Sequence, residues 1–340
     1  MKKTVLLLII MILVISCVAH AKKKKSTQPE WLKNPKVVYS EQQYLTAIGE
    51  GDSRSSAENM AAGNLARIFE SNVKAEETVT QRYFELTKNK KTSIEEQTEV
   101  NKNVNIQAQQ TLFNIQFGES YTDDLGRVYA IAYLNRFKTA EIYESKIDKN
   151  SQRIEYFVKS ATETNDPLMK YAAGSAALTV SAINEVLLAQ LSIIFPSAID
   201  MLEISYQHEK IVKLAKEAAT AVTCGININN DKDNKITIML EEMVNDLGFI
   251  LSKDNVLRIN GNILLEKTDL KRNLEFVRYE LQISVKDDKD DTIVSMTEKG
   301  REGHVSALEA RERALRTLGK VINKQLKSKL INYFDSLIME

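Results

Sequence analysis

Apolar and polar positions in the first part of the chain follow the spacing of short strands and one helix. Tyr44–Ile48 is a short apolar run of the strand type. Apolar residues three or four places apart then predict a helix that starts with Ser53 as its N-cap and runs to about Glu70. The turn residues Asp123–Gly126 predict a β-hairpin. The strands of that hairpin are Leu112–Phe117 and Val128–Leu134. Two stretches before the hairpin fit either strands or a helix, namely residues 73–86 and 100–108.

The middle of the chain has helical periodicity from about residue 138 to 220, with interruptions at Pro167 and Pro196. Its most apolar part, Tyr171–Phe195, is long enough to be mistaken for a membrane span. Polar side chains such as Glu185 lie inside it, however, and its large apolar residues form a stripe with helical spacing. We therefore predict a packed amphipathic helix. The stripe consists of Val180, Ile183, Leu187, Leu191 and Ile194.

The last third of the chain again mixes strands and helices. It predicts a strand at Val222–Ile228, a helix at Ile236–Leu247 and a long final helix that begins at Ser306. The three strands between those helices are Val256–Glu266, Leu274–Val285 and Thr292–Thr297. The glycine, capping serine and small residues at every fourth place in Gly51–Leu65 recur in Gly303–Leu318. This spacing lets a helix approach a sheet closely in both blocks.

These elements predict an α+β fold of two small α/β-sandwich modules, each an antiparallel sheet with packed helices, joined by a helical segment. The first two segments precede the folded part: 1–16 as signal peptide, and 17–42 as the lipidated cysteine with a flexible tether. The remaining predicted segments are 43–150 as the first α+β domain, 151–219 as the helical segment, and 220–340 as the second α+β domain, which ends in a long helix.

The start of the chain has the pattern of a secretory signal. Basic residues at Lys2 and Lys3 precede the apolar run Val5–Ile15, which is too short to be a permanent membrane anchor. Two cleavage sites compete, since Val14-Ile15-Ser16-Cys17 resembles a bacterial lipobox and Ala19-His20-Ala21 fits an ordinary small-x-small cut. We favour cleavage between Ser16 and Cys17, because the apolar run stops where a lipobox requires it. Acyl chains on Cys17 would then anchor the protein in a membrane.

Charge and cysteine content narrow the classes of function. The chain of 340 residues has 46 Lys and Arg against 46 Asp and Glu, so it lacks the positive surface expected of a nucleic-acid-binding protein. Cys17 and Cys224 are its two cysteines. With Cys17 acylated, Cys224 has no partner for an internal disulfide, and its apolar neighbours predict a small buried residue.

No stretch of the sequence has the pattern of an active site. Gly49-Glu50-Gly51 lacks the third glycine and the lysine of a phosphate loop, and we interpret it as a turn. Gly300–His304 could bind an anion before a helix, but a solvated turn with Ser306 as cap needs the same residue types. The three histidines have no zinc-ligand spacing, and Asp231–Asn234 departs from a calcium loop and reads as a turn. We therefore expect no catalytic residue, no metal, no cofactor and no enzymatic activity.

Four short stretches resemble the LPP-twenty lipoprotein family of bacterial outer membranes. They are Pro29–Trp31, Tyr44–Gly51, Ala57–Ile68 and Val128–Ala132, and the resemblance spans about residues 29–150. The resemblance implies an acylated cysteine near the start, an envelope location and no known catalytic residues.

On this basis we expect an outer-membrane lipoprotein that faces the periplasm and acts through contacts with envelope proteins in outer-membrane or surface-structure assembly. Trp31, the single tryptophan, is expected to pack onto the first domain, and a contact with a partner is the alternative. The sequence leaves open whether the protein forms a homo-oligomer. The alternative function is a periplasmic binding module for a small ligand or cell-wall glycan, which would use Trp31, Tyr129 and Tyr133.

Overall fold

The computed structural model describes residues 28–69, 76–87, 112–268 and 274–339. The chain divides into two compact units, residues 1–71 with 100–139 and residues 72–99 with 140–340. Each unit contains a sheet with packed helices, which confirms the α+β class. The predicted signal peptide and the predicted lipidation site Cys17 lie outside the described residues.

The elements are numbered here in chain order. The helices are α1 Glu30–Lys33, α2 Pro35–Val38, α3 Arg54–Arg67, α4 Glu77–Thr87, α5 Arg136–Glu163, α6 Pro167–Ile194, α7 Pro196–Ile199, α8 His208–Thr220, α9 Lys235–Asp246, α10 Ala307–Val321 and α11 Lys327–Ser336. A π-helical turn, Ile322–Leu326, connects α10 to α11. The strands are β1 Tyr44–Gly51, β2 Gln116–Thr122, β3 Val128–Asn135, β4 Thr223–Asn229, β5 Ile250–Leu251, β6 Leu257–Thr268, β7 Glu275–Lys286 and β8 Thr292–His304.

The first unit is built on the close approach of α3 to an antiparallel sheet of order β1-β3-β2. The predicted hairpin is confirmed, although its first strand is Gln116–Thr122 and not Leu112–Phe117. The N-cap is confirmed as well, since the Ser53 hydroxyl accepts a hydrogen bond from the Ser56 amide at 3.2 Å. Ala57 and Ala61 of α3 are fully buried. Gly49 is a strand residue here and not the predicted turn. A Cβ atom at Gly49 would collide with the backbone of Ala57 and Ala61, so a bare backbone is required at this position.

The second unit contains a five-stranded sheet of order β5-β4-β6-β7-β8. Strands β6, β7 and β8 are antiparallel, whereas β4 pairs in parallel with both β5 and β6. The second sheet is therefore mixed and not antiparallel as predicted, because helix α9 lies between β4 and β6 and returns the chain to the same end of the sheet. Strand β8 continues to His304, well past the predicted end at Thr297. Gly300–His304 is therefore the end of a strand and not a turn, because pairing with β7 holds it in the sheet.

Helix α6 is the central helix of the second unit. Among the described residues it is the one helix long and apolar enough to cross a membrane, but most of its apolar stretch is buried inside the protein. All five residues of the predicted stripe are buried, which confirms a packed helix. The ring of Tyr171 makes edge contacts with Phe249 and Phe334 at centroid distances of 4.6 and 4.8 Å. Residues of α6 thus share one hydrophobic core with the sheet and with α9 to α11.

Helix α4 belongs to the second unit although its sequence interrupts that of the first. The described part of the stretch 73–86 takes the helical alternative, while residues 73–75 and 100–108 lie outside the described part of the chain. Arg82 makes a two-point ion pair with Asp335, with Nη2–Oδ1 at 2.6 Å and Nε–Oδ2 at 3.2 Å. Its Nη1 donates to the Ser175 hydroxyl at 2.7 Å. Both charged side chains are largely buried, so this pair attaches α4 to α6 and α11.

The contact between α3 and β1 generates the first prediction. We expect Gly49→Ala to lower the free energy of unfolding of the first unit by about 1–3 kcal/mol or more, because the added methyl group forces α3 away from the strand. Urea unfolding followed by the fluorescence of Trp31, which lies in the first unit, measures this change.

Gly63→Ala is the matched control, since a Cβ there meets no atom within 4 Å. Gly63 lies inside α3, so alanine is expected to stabilise the unit by about 0.5–1 kcal/mol. Equal effects of the two substitutions would contradict the close-approach argument.

The buried ion pair generates the second prediction. We expect Arg82→Met and Asp335→Leu each to cost about 3–5 kcal/mol of stability, because each leaves the other charge buried without its partner. The double variant should lose much less than the sum of the two single losses, since neither charge remains. Calorimetric unfolding of the four proteins measures the coupling, and strict additivity would show that the pair does not act as a unit.

Candidate interaction surfaces

The residues before α10 do not form the anion site considered from the sequence. The Ser306 hydroxyl accepts a hydrogen bond from the Glu309 amide at 3.2 Å, which confirms its role as an N-cap. The carboxylate of Glu302 accepts from the Thr317 hydroxyl at 3.0 Å, whereas the Arg301 guanidinium lies over the ring of Phe276 at 5.4 Å. Successive strand residues face opposite sides of a sheet, so the arginine and the carboxylate do not converge.

The acidic turn after β4 has a structural role. Asp231 accepts hydrogen bonds from the Thr237 amide at 2.8 Å and from its hydroxyl at 2.9 Å, and so fixes the start of α9. Asp233 forms an ion pair with Arg311 at 2.7 Å. The interpretation of this segment as a turn is confirmed. Among the described residues, no group of three or more His, Cys, Asp or Glu side chains is placed to hold a metal ion.

One serine–histidine contact was not predicted from the sequence. The Ser181 hydroxyl and Nδ1 of His208 are 3.0 Å apart, and the hydroxyl also lies 3.1 Å from the Leu178 carbonyl, to which it donates. The tautomer of His208 decides which of the two groups donates in this hydrogen bond. Ser181 is fully buried in α6, and the contact fastens the start of α8 to it. The feature of the sequence that could have indicated this contact is Ser181 itself, a polar residue within an apolar helix.

Cys224 has the environment of a small apolar residue. It is almost completely buried, which confirms the prediction, and burial raises the pKa of its thiol to about 12. A thiol with this pKa stays protonated near neutral pH and is a poor nucleophile.

Trp31 lies inside the first unit. It belongs to α1 and is 5% exposed, so packing onto the first domain accounts for it as it stands here. The aromatic residues near it pack mainly on one another. The ring of Tyr39 lies 5.5 Å from that of Tyr44 and 4.9 Å from that of Tyr133, and all three are half-buried. Partial burial, followed by the proximity of Tyr133, raises the pKa of Tyr39.

Helix α2 contains two exposed valines, which directly precede Tyr39 in the sequence. Val37 is 60% exposed and Val38 is 51% exposed. The helix is fixed at its start by Pro35 and by the Asn34 side chain, which accepts from the Lys36 amide at 3.3 Å. The valines therefore sit on a defined turn beside basic residues, and we call Val37 and Val38 the valine pair.

A second exposed apolar surface lies at one end of the sheet in the second unit. Val305 is 73% exposed and Leu308 is 70% exposed. Pairing of Glu275 with His304 brings Leu274, which is also exposed, to the same end of the sheet. Val305 precedes the N-cap of α10 and Leu308 lies in its first turn, so neither reaches the core. We call these three apolar residues the β8–α10 tip.

Residues 29–135 match the family model described as LPP20 lipoprotein. The match confirms the predicted resemblance to the LPP-twenty family and indicates a lipoprotein of the cell envelope. It ends with strand β3, so it covers the described part of the first unit almost completely and leaves the second unit outside. No protein of curated function is matched by this chain.

Several solved structures are similar at low identity. The secreted protein HP1454 from Helicobacter pylori has a TM-score of 0.43 and 12% identity, over 84% of this chain and 97% of that chain. A minor lipoprotein from Acinetobacter baumannii has a TM-score of 0.24 and 12% identity, over 34% and 90% of the two chains. Lipoprotein GNA1162 from Neisseria meningitidis has a TM-score of 0.22 and 8% identity, over 30% and 99%. At these scores the likeness carries no functional argument.

Proposed function

We propose that this protein is an outer-membrane lipoprotein, anchored by acyl chains on Cys17 and facing the periplasm, that acts by binding envelope proteins and not by catalysis. The observation that carries the proposal is the match to the LPP20 lipoprotein model, which begins 12 residues after Cys17. A lipobox followed closely by a lipoprotein domain is the arrangement expected when the acylated cysteine becomes the first residue.

The acyl chains explain how such a protein stays at the membrane. Each buried methylene contributes about 0.8 kcal/mol of membrane affinity, and more than one chain gives a stable anchor. The folded part then needs no membrane-spanning helix, which agrees with the burial of α6 in the second unit.

The β8–α10 tip supports a role in protein contacts. Large apolar side chains are usually withdrawn from water, and a group of them exposed together often marks a site of association. Val305 and Leu308 are among the most exposed apolar side chains of the described residues, on either side of the Ser306 N-cap. A surface that the fold holds in place in this way loses less conformational entropy on binding than a flexible loop does.

The anchor is tested by the intact mass of the mature protein from membranes. We expect a mass equal to residues 18–340 plus a cysteine that carries acyl chains, and we expect Cys17→Ala to be released or left unprocessed. A mature chain that starts at Lys22 without lipid would refute the anchor, because it would show cleavage after Ala21. Separation of inner and outer membranes then tests the location.

The contact role is tested by a photo-crosslinking residue in place of Leu308 in living cells. We expect one discrete protein adduct that disappears when Val305→Asp is added, because a charge at the tip opposes apolar association. The melting temperature should not change, since Val305 is exposed. The same crosslinker at Leu125, which is 86% exposed on the β2–β3 hairpin, is the control. Equal adducts at both positions, or none at 308, would contradict the proposed surface.

A further inference from the structure

We infer that helix α2 docks on the lipid surface that holds the anchor, with the valine pair among the headgroups and the neighbouring lysines against anionic lipid. This inference rests on the proposed lipid anchor and adds a second, non-covalent contact between the protein and its membrane. The occupant of this apolar surface is thus lipid and not a protein partner.

The first argument is the exposure of the valine pair on a fixed turn. Two adjacent valines, 60% and 51% exposed, gain little by facing water. Backbone hydrogen bonds close the turn, with the Tyr39 amide donating to the Pro35 carbonyl at 2.8 Å. Trp31 is buried just before it, so α1 and α2 are attached firmly to the first unit. Tyr39, a half-buried aromatic residue with a polar end, suits a membrane–water boundary.

The second argument is the length of chain between the anchor and α1. Glu30 is 13 residues from Cys17. A chain of this length spans at most about 47 Å when fully extended, and about 20 Å as a flexible coil. The anchor therefore keeps the valine pair close to the membrane surface. A short flexible tether gives an effective concentration in the millimolar range. At that concentration even a weak contact between α2 and the membrane forms.

The third argument is charge complementarity. Residues 22–39 contain six lysines and one glutamate, a formal charge of +5, in a chain whose total is neutral. Lys33 and Lys36 are exposed on α1 and α2, and Lys36 also pairs with Glu41 at 2.7 Å. Basic residues beside an exposed apolar pair are the composition that binds an anionic lipid surface. Two valines are too small an area for a stable protein interface, whereas a tethered contact with lipid needs no large area.

The test places a photo-crosslinking residue at Val38 in the lipidated protein. We expect adducts with the mass of a phospholipid at this position, and at least several-fold fewer at Val212, which is 42% exposed on α8 of the second unit. Adding Val37→Asp should reduce the lipid adducts at position 38, whereas Leu125→Asp should not. Protein adducts without lipid, or equal lipid adducts at 38 and 212, would overturn the inference.

A second experiment tests the docking of α2 separately from the natural lipid anchor. The mature chain is coupled through Cys17 to a maleimide lipid in vesicles, and Cys224 is expected not to react because its thiol is buried and its pKa is raised to about 12. We expect lipid adducts at position 38 in vesicles that contain phosphatidylglycerol, and several-fold fewer in vesicles of phosphatidylcholine alone. If these adducts form but cells give no acylated Cys17, the natural anchor fails while the surface is supported. If Cys17 is acylated in cells but the coupled chain gives no adducts, docking fails while the anchor stands.

Discussion

Burial of helix α6 is the constraint on which the second unit depends. The helix is apolar around most of its circumference, so it must be covered on several sides at once. Strands alone cannot supply that cover, and α5, α8 and the last helix pack around it together with α4. This need explains why α4, whose sequence interrupts that of the first unit, packs in the second. It also explains why residues 151–219 share a core with the last third of the chain.

The polar groups of this helical layer are paired within the protein. Asn184 lies inside α6 and contacts Asn150 at 3.2 Å, while Gln190 accepts from the Tyr143 hydroxyl at 3.0 Å. An unpaired amide in such a core would cost about 1–3 kcal/mol, so these contacts also specify how the helices align. Burial raises the pKa of Tyr206, whose hydroxyl bonds to Asn184 and Glu185 in the same layer.

Elements with a strong local signal could be predicted from the sequence. Ser53 and Ser306 both cap helices, and the small residues that follow each of them are buried against sheets. The stripe of α6 was also visible, because its spacing is set by the helix itself. Contacts between distant residues could not be predicted. Arg82 meets Asp335 across 253 positions, so a segment without clear periodicity is held by a partner that no local pattern reveals.

The candidate sites also divide into those with a local sequence signal and those that depend on the tertiary fold. The predicted lipobox rests on a local motif of the sequence, whereas the burial of Trp31 depends on how the first unit folds around it. Strands β4 and β6 were predicted, but their parallel pairing was not, because it depends on how helix α9 returns the chain to the same end of the sheet; the two-residue strand β5 is too short to have a pattern. Exposure of the valine pair and of the β8–α10 tip is likewise a tertiary property, since apolar residues of the same type elsewhere in the chain are buried.

Three groups with the potential for chemistry hold the fold in the described part of the chain. Asp231 fixes the start of α9, Ser181 fastens α8, and Cys224 is a protonated apolar side chain in the core. Each of these groups would have to leave its structural partner before it could act on a substrate. The exposed apolar surfaces can bind a partner without such a change, because removing water from them is favourable and needs no rearrangement of the protein. This difference is the physical basis of the contacts with lipid and with other proteins that we propose.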